Sequence, residues 1–573
     1  MNGYELSIYS NIPFYAWFLL FLGIIGGFSI LILNLCFNIG KKNYWILGAF
    51  ILIFIQLEVL LLFIIKGYTF YDYADPVTHL GIIKDINIFN HIGEDNFYPI
   101  FHIWINSIEN MTNIPSIIIM KYVPSFLSIL LILFLYLLAT VIFLNKKYVI
   151  FTIMFVSIPC IGYYLSAVPN GFSFIFFPLI LFLYFKRATN DKRIEIKILL
   201  IMFLIVLPFS HPLTTIMLII YFITIELSFK IYHHRKKDIN KKYKFEIFPV
   251  LLISILFSWW LISFPIFKRN IYFFILWTKM ELSPVTSQVI TSFDKLGLSF
   301  FDRILLFIKL YGINILLIAF ALIAIIQIFK SYYKKTNSNT NQEKILFSII
   351  FCLFSSGFLI LLFITTGDPN FQPIRSLTFI FLITLLLASY GAYNIFRKTK
   401  FYSPKKSIII IIFFIFLLSA SSINTIFSLY DSPYVFQPNR QVTDSHISGL
   451  NYFFNLKDPS VISVTLSSSS PWRFAQMIFG KKAADNRTDF NKYQAWTVVA
   501  DHFGYLNNTY LGRTYQDDKY LIIEKVFMLS YTDLWTAINR YNKDDFIMLN
   551  YDPTVNKIFS NGNVDIRFIN HNN

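Results

Sequence analysis

Charge is scarce in this chain. Only 14% of its residues are Asp, Glu, Lys or Arg, against roughly 25% in a soluble globular protein, and too few remain to clothe a chain of this length in a wholly water-facing surface. Cysteine is scarcer still. Cys36, Cys160 and Cys352 all fall in or beside apolar runs, so no disulfide is available to a domain outside the membrane, where one would be permitted. The N-terminus lacks the basic stretch of a signal peptide, and its first apolar run is expected to stay as a helix. There is no Walker loop, no Gly-x-Ser-x-Gly elbow, no Cys-x-x-Cys pair and no His-Glu-x-x-His, which leaves ATP hydrolysis, serine hydrolysis and zinc proteolysis without support. No internal repeat of the kind found in many secondary transporters is evident.

What the chain does have is apolar length. It is 56% hydrophobic and 19% aromatic, and its apolar runs repeatedly reach the roughly 20 residues that cross a hydrocarbon core of about 30 Å. Spans are expected near 14–36, 44–65, 120–144, 148–166, 171–185, 197–209, 212–229, 246–267, 304–329, 345–365, 377–396 and 407–428, about 12 transmembrane helices in all. The net charge of +17 does not point to nucleic acid. Its carriers sit in short clusters between the apolar runs, at Lys41-Lys42, Lys146-Lys147, Lys186-Arg187, Lys230 to Lys244, Lys330 to Lys344 and Arg397 to Lys406. Alternating the spans puts all of these on one side, the positive-inside pattern of a cell-membrane protein. The N-terminus and everything after about residue 429 are then expected outside. The stretch 197–229 fits this scheme as two short helices that turn at Ser210-His211-Pro212, because the residue before a proline disfavours helix.

Two units are expected: 1–428, a transmembrane domain with a large outer loop at 66–119, and 429–573, an extracytoplasmic domain of mixed α/β structure. The second contains strand-like runs at 461–466 and 520–524 and helix-like runs at 441–455 and 531–541. It also has a hairpin signal at Asn561-Gly562-Asn563 before the alternating run 564–569.

The outer loop reads Tyr71-Asp72-Tyr73-Ala74-Asp75-Pro76-Val77-Thr78-His79-Leu80 and follows directly on the second span. A carboxylate there lies at the level of lipid phosphates, where it can act as a general base on an acceptor hydroxyl or hold a divalent cation, Mg or Mn, beside a phosphate. His79 stands four residues beyond Asp75 and on a helix would share its face. Asp75, Asp72 and His79 are therefore the candidate catalytic residues, with Asp75 the candidate metal ligand. His102, among the aromatics of 96–104, is a further candidate ligand for substrate, or for a metal together with Asp75. His211, at the tip of the helical hairpin, is an ionisable group at membrane depth, which is costly unless used. Arg375 offers a planar fork suited to phosphate oxygens. Glu281 lies in an amphipathic stretch at 267–303. For several of these a plain alternative exists: interfacial aromatics, a snorkelling arginine or a capped helix end.

An acidic residue in the first large outer loop, many spans and a trailing outer domain together resemble the GT-C superfamily of membrane glycosyltransferases, in archaeal and bacterial form, with a distant likeness to protein mannosyltransferases. The words Asp75-Pro76-Val77-Thr78-His79-Leu80 look like the Asp-Pro-aromatic-x-(Asn/His) segment of oligosaccharyltransferase catalytic subunits. Val77 stands where that family has an aromatic, and the tail lacks its Trp-Trp-Asp motif. The resemblance, over roughly 40–430, implies an all-α polytopic fold and a polyprenyl-phosphate-linked sugar as donor. It also implies an extracytoplasmic acceptor (glycan, lipid or protein) and a metal or catalytic-site role for Asp75 alone. The rival classes are a transporter or flippase of lipid-linked glycans, which should carry polar residues through its helices, and a non-catalytic envelope-assembly protein in which Asp75 is dispensable.

Overall fold

The computed structural model describes residues 3–37, 43–158, 165–188, 193–236, 246–264, 296–333, 341–366, 373–398, 404–467, 470–487, 489, 498–507 and 509–571, with the side chains of 235–236, 362–366, 373–375 and 404 excepted. Helices fall at all the places where the apolar runs predict them. They are α1 (Phe14–Phe37), α2 (Tyr44–Leu60) with the one-turn α3 (Leu62–Ile65), α6 (Ser116–Ile142), α7 (Lys146–Val156), α8 (Pro169–Ala188), α9 (Ile194–Val206), α10 (Pro212–Lys236), α11 (Ile247–Ile262), α12 (Phe300–Tyr333), α13 (Asn341–Thr366), α14 (Pro373–Lys398) and α15 (Pro404–Leu429). Among the described residues eight helices are long and apolar enough to cross a membrane. The other four are shorter, at 17, 11, 13 and 16 residues for α2, α7, α9 and α11. At 1.5 Å per residue α7 and α9 fall well short of a bilayer core of about 30 Å.

Sequence punctuation explains where helices begin and end. Asn145 caps α7 by accepting the Lys147 N–H at 3.0 Å. The expected break inside 197–229 is present: α9 tightens into a 3₁₀ turn at Leu207–Phe209, and α10 starts at Pro212. Large apolar side chains such as Phe18, Phe50, Phe54, Phe307, Phe354, Phe413 and Phe416 point outward from the helices. In water that surface would be untenable; in lipid it is the natural one, and the chain is a multi-pass membrane protein. Where helices meet, close approach replaces hydrophobic drive. At Gly391 a Cβ would stand 2.0 Å from the Phe320 carbonyl oxygen, so only glycine lets α14 lie so directly on α12.

The segment 66–119 is more ordered than a solvated loop. It holds the two-residue strand β1 (Phe70–Tyr71) and two helices, α4 (Asp75–Phe89) and α5 (Pro99–Thr112). Both helices carry Pro in the first turn and close on an asparagine in the left-handed region, Asn90 and Asn113, the residue types those positions favour.

The tail after α15 contributes β2 (Gln441–Val442), α16 (Asp444–Leu456), β3 (Ser463–Thr465), α17 (Ser470–Phe479), α18 (Lys481–Asp485), β4 (Lys519–Glu524), α19 (Lys543–Tyr551), β5 (Val555–Ser560) and β6 (Val564–Ile569). Its four-stranded sheet has the order β3-β4-β6-β5, parallel between β3 and β4 and antiparallel elsewhere, with the expected hairpin between β5 and β6. Alternation along β4 divides its faces: Leu521 and Ile523 enter a core belonging to the tail, while Ile522 joins the helical core through Leu450, Phe453 and Phe474. Two expectations need correction. Residues 441–442 are not helical but pair with β1 (Phe70↔Val442, Tyr71↔Gln441), and α16 begins only after Thr443 caps it. The stretch 531–541 is not a regular helix but a π turn at Ser530–Leu534 followed by a 3₁₀ turn at Thr536–Ile538. There the rings of Tyr531, Trp535 and Tyr541 pack together, and Trp535 Nε1 donates to the Phe436 carbonyl at 3.0 Å.

The tail docks on α4 through a close backbone contact. A Cβ on Gly81 would lie 2.5 Å from the Gln476 carbonyl oxygen of α17. Gly81→Val is therefore expected to push α17 off α4 at a cost of about 1–3 kcal/mol. Trypsin should then cut faster at Lys481-Lys482, and an unchanged digestion pattern would show that the contact is dispensable.

Candidate active site

Three features bring the 66–80 segment under control of the tail. The first is the β1–β2 pairing. The second is a buried charge cluster around Asp72, which adopts φ +77, a region that non-glycine residues enter only when held there. Its N–H donates to the Arg440 carbonyl at 2.9 Å. Its carboxylate accepts from the Ala74 N–H at 3.0 Å, from Ser166 Oγ at 2.9 Å and from Arg440 Nη1 at 3.4 Å. Arg440 Nε also pairs with Asp431, whose N–H donates to the Tyr71 hydroxyl at 3.0 Å. Burial holds the Asp431 carboxyl above its usual range, outweighing the opposite pull of Arg440, and nearby Asp72 adds to the rise. Asp72 is thus committed to holding the chain.

The third feature is Asp75 itself. It opens α4, and its Oδ1 accepts from Arg473 Nη1 at 2.9 Å; the same Nη1 donates to Thr78 Oγ1 at 3.1 Å. The two partners differ in access, since the Arg473 side chain is 15% exposed and that of Asp75 48%. A largely buried cation from the tail therefore holds a carboxylate that solvent can reach.

His79, one turn along α4, points into the protein. Its Nδ1 lies 3.0 Å from Nε2 of the fully buried His102 on α5, one ring donating to the other according to tautomer. Burial, and then His79, keep His102 well below the usual imidazole value of 6.5, so it stays neutral. Tyr98 sits among three imidazoles, with ring centroids 6.0 Å from His79, 5.9 Å from His102 and 5.7 Å from His211. His211, in the α9–α10 turn, also accepts the Leu213 N–H on Nδ1 at 3.3 Å. The expected residues therefore fall into separate places: Asp75 against Arg473, the histidines around Tyr98, and Asp72 in its ion cluster. Arg375 lies in the first turn of α14 with its side chain outside those described, and Glu281 lies outside the described residues. Among the described residues no group of three or more His, Cys, Asp or Glu side chains could hold a metal ion.

A neutral buried imidazole makes stability depend on pH. In the unfolded chain His102 takes up a proton near its usual value, while in the fold it resists doing so, so its contribution is present above about pH 6.5 and is lost as the pH falls towards the folded value. The melting temperature is expected to drop between about pH 7.5 and pH 5, and His102→Phe should flatten that slope. A slope unchanged in the variant would remove His102 as its source.

Arg473, Arg440, Asp431, Ser166 and Tyr98 were not among the sequence candidates. Arg473 meets Asp75 across 398 residues of chain, and no local spacing reveals such a partner. The tail's other buried histidines are occupied. His446 pairs with Glu524 at 2.7 Å and His502 with Asp545 at 2.9 Å. Ser470 Oγ donates to Glu524 at 2.7 Å rather than to His446, so these three residues do not form the serine–histidine relay of a hydrolase.

No family model matches the chain, and no curated protein matches it significantly. Among solved structures it is similar to the apo oligosaccharyltransferase of Archaeoglobus fulgidus, at 12% identity over 87% of this chain and 71% of that one, with a TM-score of 0.49. It is also similar to ArnT from Cupriavidus metallidurans bound to undecaprenyl phosphate, at 10% identity over 97% and 98% of the two chains, with a TM-score of 0.35.

Proposed function

We propose that this protein is a membrane glycosyltransferase that moves a sugar from a polyprenyl-phosphate-linked donor to an acceptor outside the cytoplasm, with the tail on the outer side. The observation that carries the reading is the placement of Asp75: a solvent-accessible carboxylate at the start of α4, held by a cation and following closely on the apolar helices α2 and α3. Of the three residues expected to carry chemistry, Asp72 and His79 are buried, whereas the Asp75 side chain, though held by Arg473, is 48% exposed. The resemblance of the Asp75-Pro76 segment to glycosyltransferase loops supports the same assignment.

In this reading the acceptor hydroxyl gives its proton to the Asp75 carboxylate as its oxygen attacks the anomeric carbon of the sugar. The bond from that carbon to the phosphate oxygen breaks, and the polyprenyl phosphate leaves with the electron pair. A divalent cation bound here would be held by Asp75, the one carboxylate of the candidate residues that is half exposed, and would supply positive charge to the departing phosphate; among the described residues no group of three or more His, Cys, Asp or Glu would hold it by the protein alone. His211, in the α9–α10 turn against Tyr98, is a candidate for contact with the donor, as is Arg375.

The test is transfer of radiolabelled sugar from a polyprenyl-phosphate donor by the purified full-length protein. Transfer supports the reading. Movement of lipid-linked sugar across a vesicle membrane without any transfer would sink it in favour of a flippase.

A further inference from the structure

Arg473 reaches Asp75 from a different part of the chain, on a helix whose backbone is pressed against α4 at Gly81. The guanidinium is largely withdrawn from water, while its carboxylate partner is about half exposed. An ion pair with one partner this open is weak, because water screens it. A phosphate group forms stronger, charge-assisted and bidentate bonds with a guanidinium than a solvated carboxylate does, and arginine rather than lysine has the planar fork for it. The place also suits an anion: Asp75 and Thr78 lie in the first turn of the 15-residue helix α4, where the helix dipole favours negative charge.

We propose that Arg473 is the phosphate anchor of this site, and that a phosphate ester takes the guanidinium from Asp75 on binding. The inference rests on the glycosyltransferase reading for its choice of ligand, a polyprenyl monophosphate or its sugar ester, but its chemistry is that of a phosphate site. Its consequence is an exchange. While Arg473 holds Asp75, the guanidinium neutralises the carboxylate; once phosphate takes the cation, that neutralisation is lost beside the donor, where a base is needed. Asp75 and the ligand therefore compete for one cation, which fixes the sign of each variant's effect.

The experiment is equilibrium binding of farnesyl phosphate, and separately of inorganic phosphate, to the full-length protein in nanodiscs. No sugar or acceptor is present. Arg473→Gln is expected to weaken farnesyl phosphate binding about tenfold or more, the usual loss for a charged hydrogen bond, with Arg473→Lys intermediate. Asp75→Asn is expected to bind it more tightly than the wild type, because the competing charge is gone. Wild-type affinity in Arg473→Gln would overturn the proposal. So would a loss of affinity in Asp75→Asn that matches the loss in Arg473→Gln, since a merely structural pair behaves in that way. Preference for farnesyl phosphate supports a lipid phosphate as the ligand, and equal affinity for inorganic phosphate overturns that choice while keeping the anchor. A protein that binds in this pattern yet transfers no sugar retains the anchor and loses the glycosyltransferase reading; one that transfers sugar with Arg473→Gln unimpaired does the reverse.

Discussion

Asp75→Asn is expected to lower sugar transfer about a hundred- to ten-thousandfold, the range lost when a positioned general base is removed. The substitution is nearly isosteric. The amide oxygen can still accept from Arg473 Nη1, now 2.9 Å from Asp75 Oδ1, so α4 and α17 should remain docked. What disappears is the charge and the ability to take a proton. The loss should therefore appear in kcat, with the donor KM unchanged or lower, because a neutral side chain competes less for the guanidinium. Steady-state kinetics with varied donor separates the two parameters. A variant with full kcat would strip Asp75 of its role, and a raised donor KM at unchanged kcat would make it a binding residue instead.

A second large effect, this one on stability, is expected of Arg440→Met. Arg440 stands between two acids, Asp72 with 6% of its side chain exposed and Asp431 with 25%. Removing the cation from a wholly buried pair costs about 3–5 kcal/mol. Arg440 itself is 41% exposed, so water screens part of that and a loss of about 2 kcal/mol is expected. The deficit should depend on pH. Burial and Asp72 already raise the Asp431 carboxyl, and without Arg440 it rises further. A carboxyl whose folded value is raised takes up protons more readily in the fold, so it favours folding in acid and loses that contribution as the pH climbs through its folded value. The gap between variant and wild type should accordingly be widest near neutrality and narrow in acid. Melting temperatures in the same lipid at several pH values test this, and a gap independent of pH would exclude the Asp431 carboxyl as its cause. Adding Asp72→Asn should recover part of the loss, since contacting residues are not additive. Because Asp72 sits at φ +77 just ahead of Asp75, Arg440→Met should also slow transfer by loosening the chain that positions Asp75.

Sequence by itself determined the membrane character, the positions of the apolar helices and the loop that carries Asp75. Hydropathy and helix punctuation are local properties: a run of apolar residues is costly to leave in water wherever it ends up, and a proline disrupts the helix in which it stands. The break at His211-Pro212, the β5–β6 hairpin and the placing of Asp75 and His79 one helical turn apart were all legible for that reason. The irregular turns at 530–538 were not: there the rings of Tyr531, Trp535 and Tyr541 pack together and Trp535 bonds to the distant Phe436 carbonyl, contacts that no helical periodicity reveals.

Tertiary structure alone decided what each candidate side chain does. Asp72, Asp75 and His79 occupy one short stretch with similar prior claims to chemistry. Closure of the tail onto α4 buries the first against Arg440, sets the second against Arg473 and turns the third inward to His102. Partners separated by 368 and 398 residues leave no periodicity and no spacing to read. Which carboxylate stays accessible is decided by where the chain meets itself, because burial and charge pairing belong to the assembled neighbourhood and not to the residue.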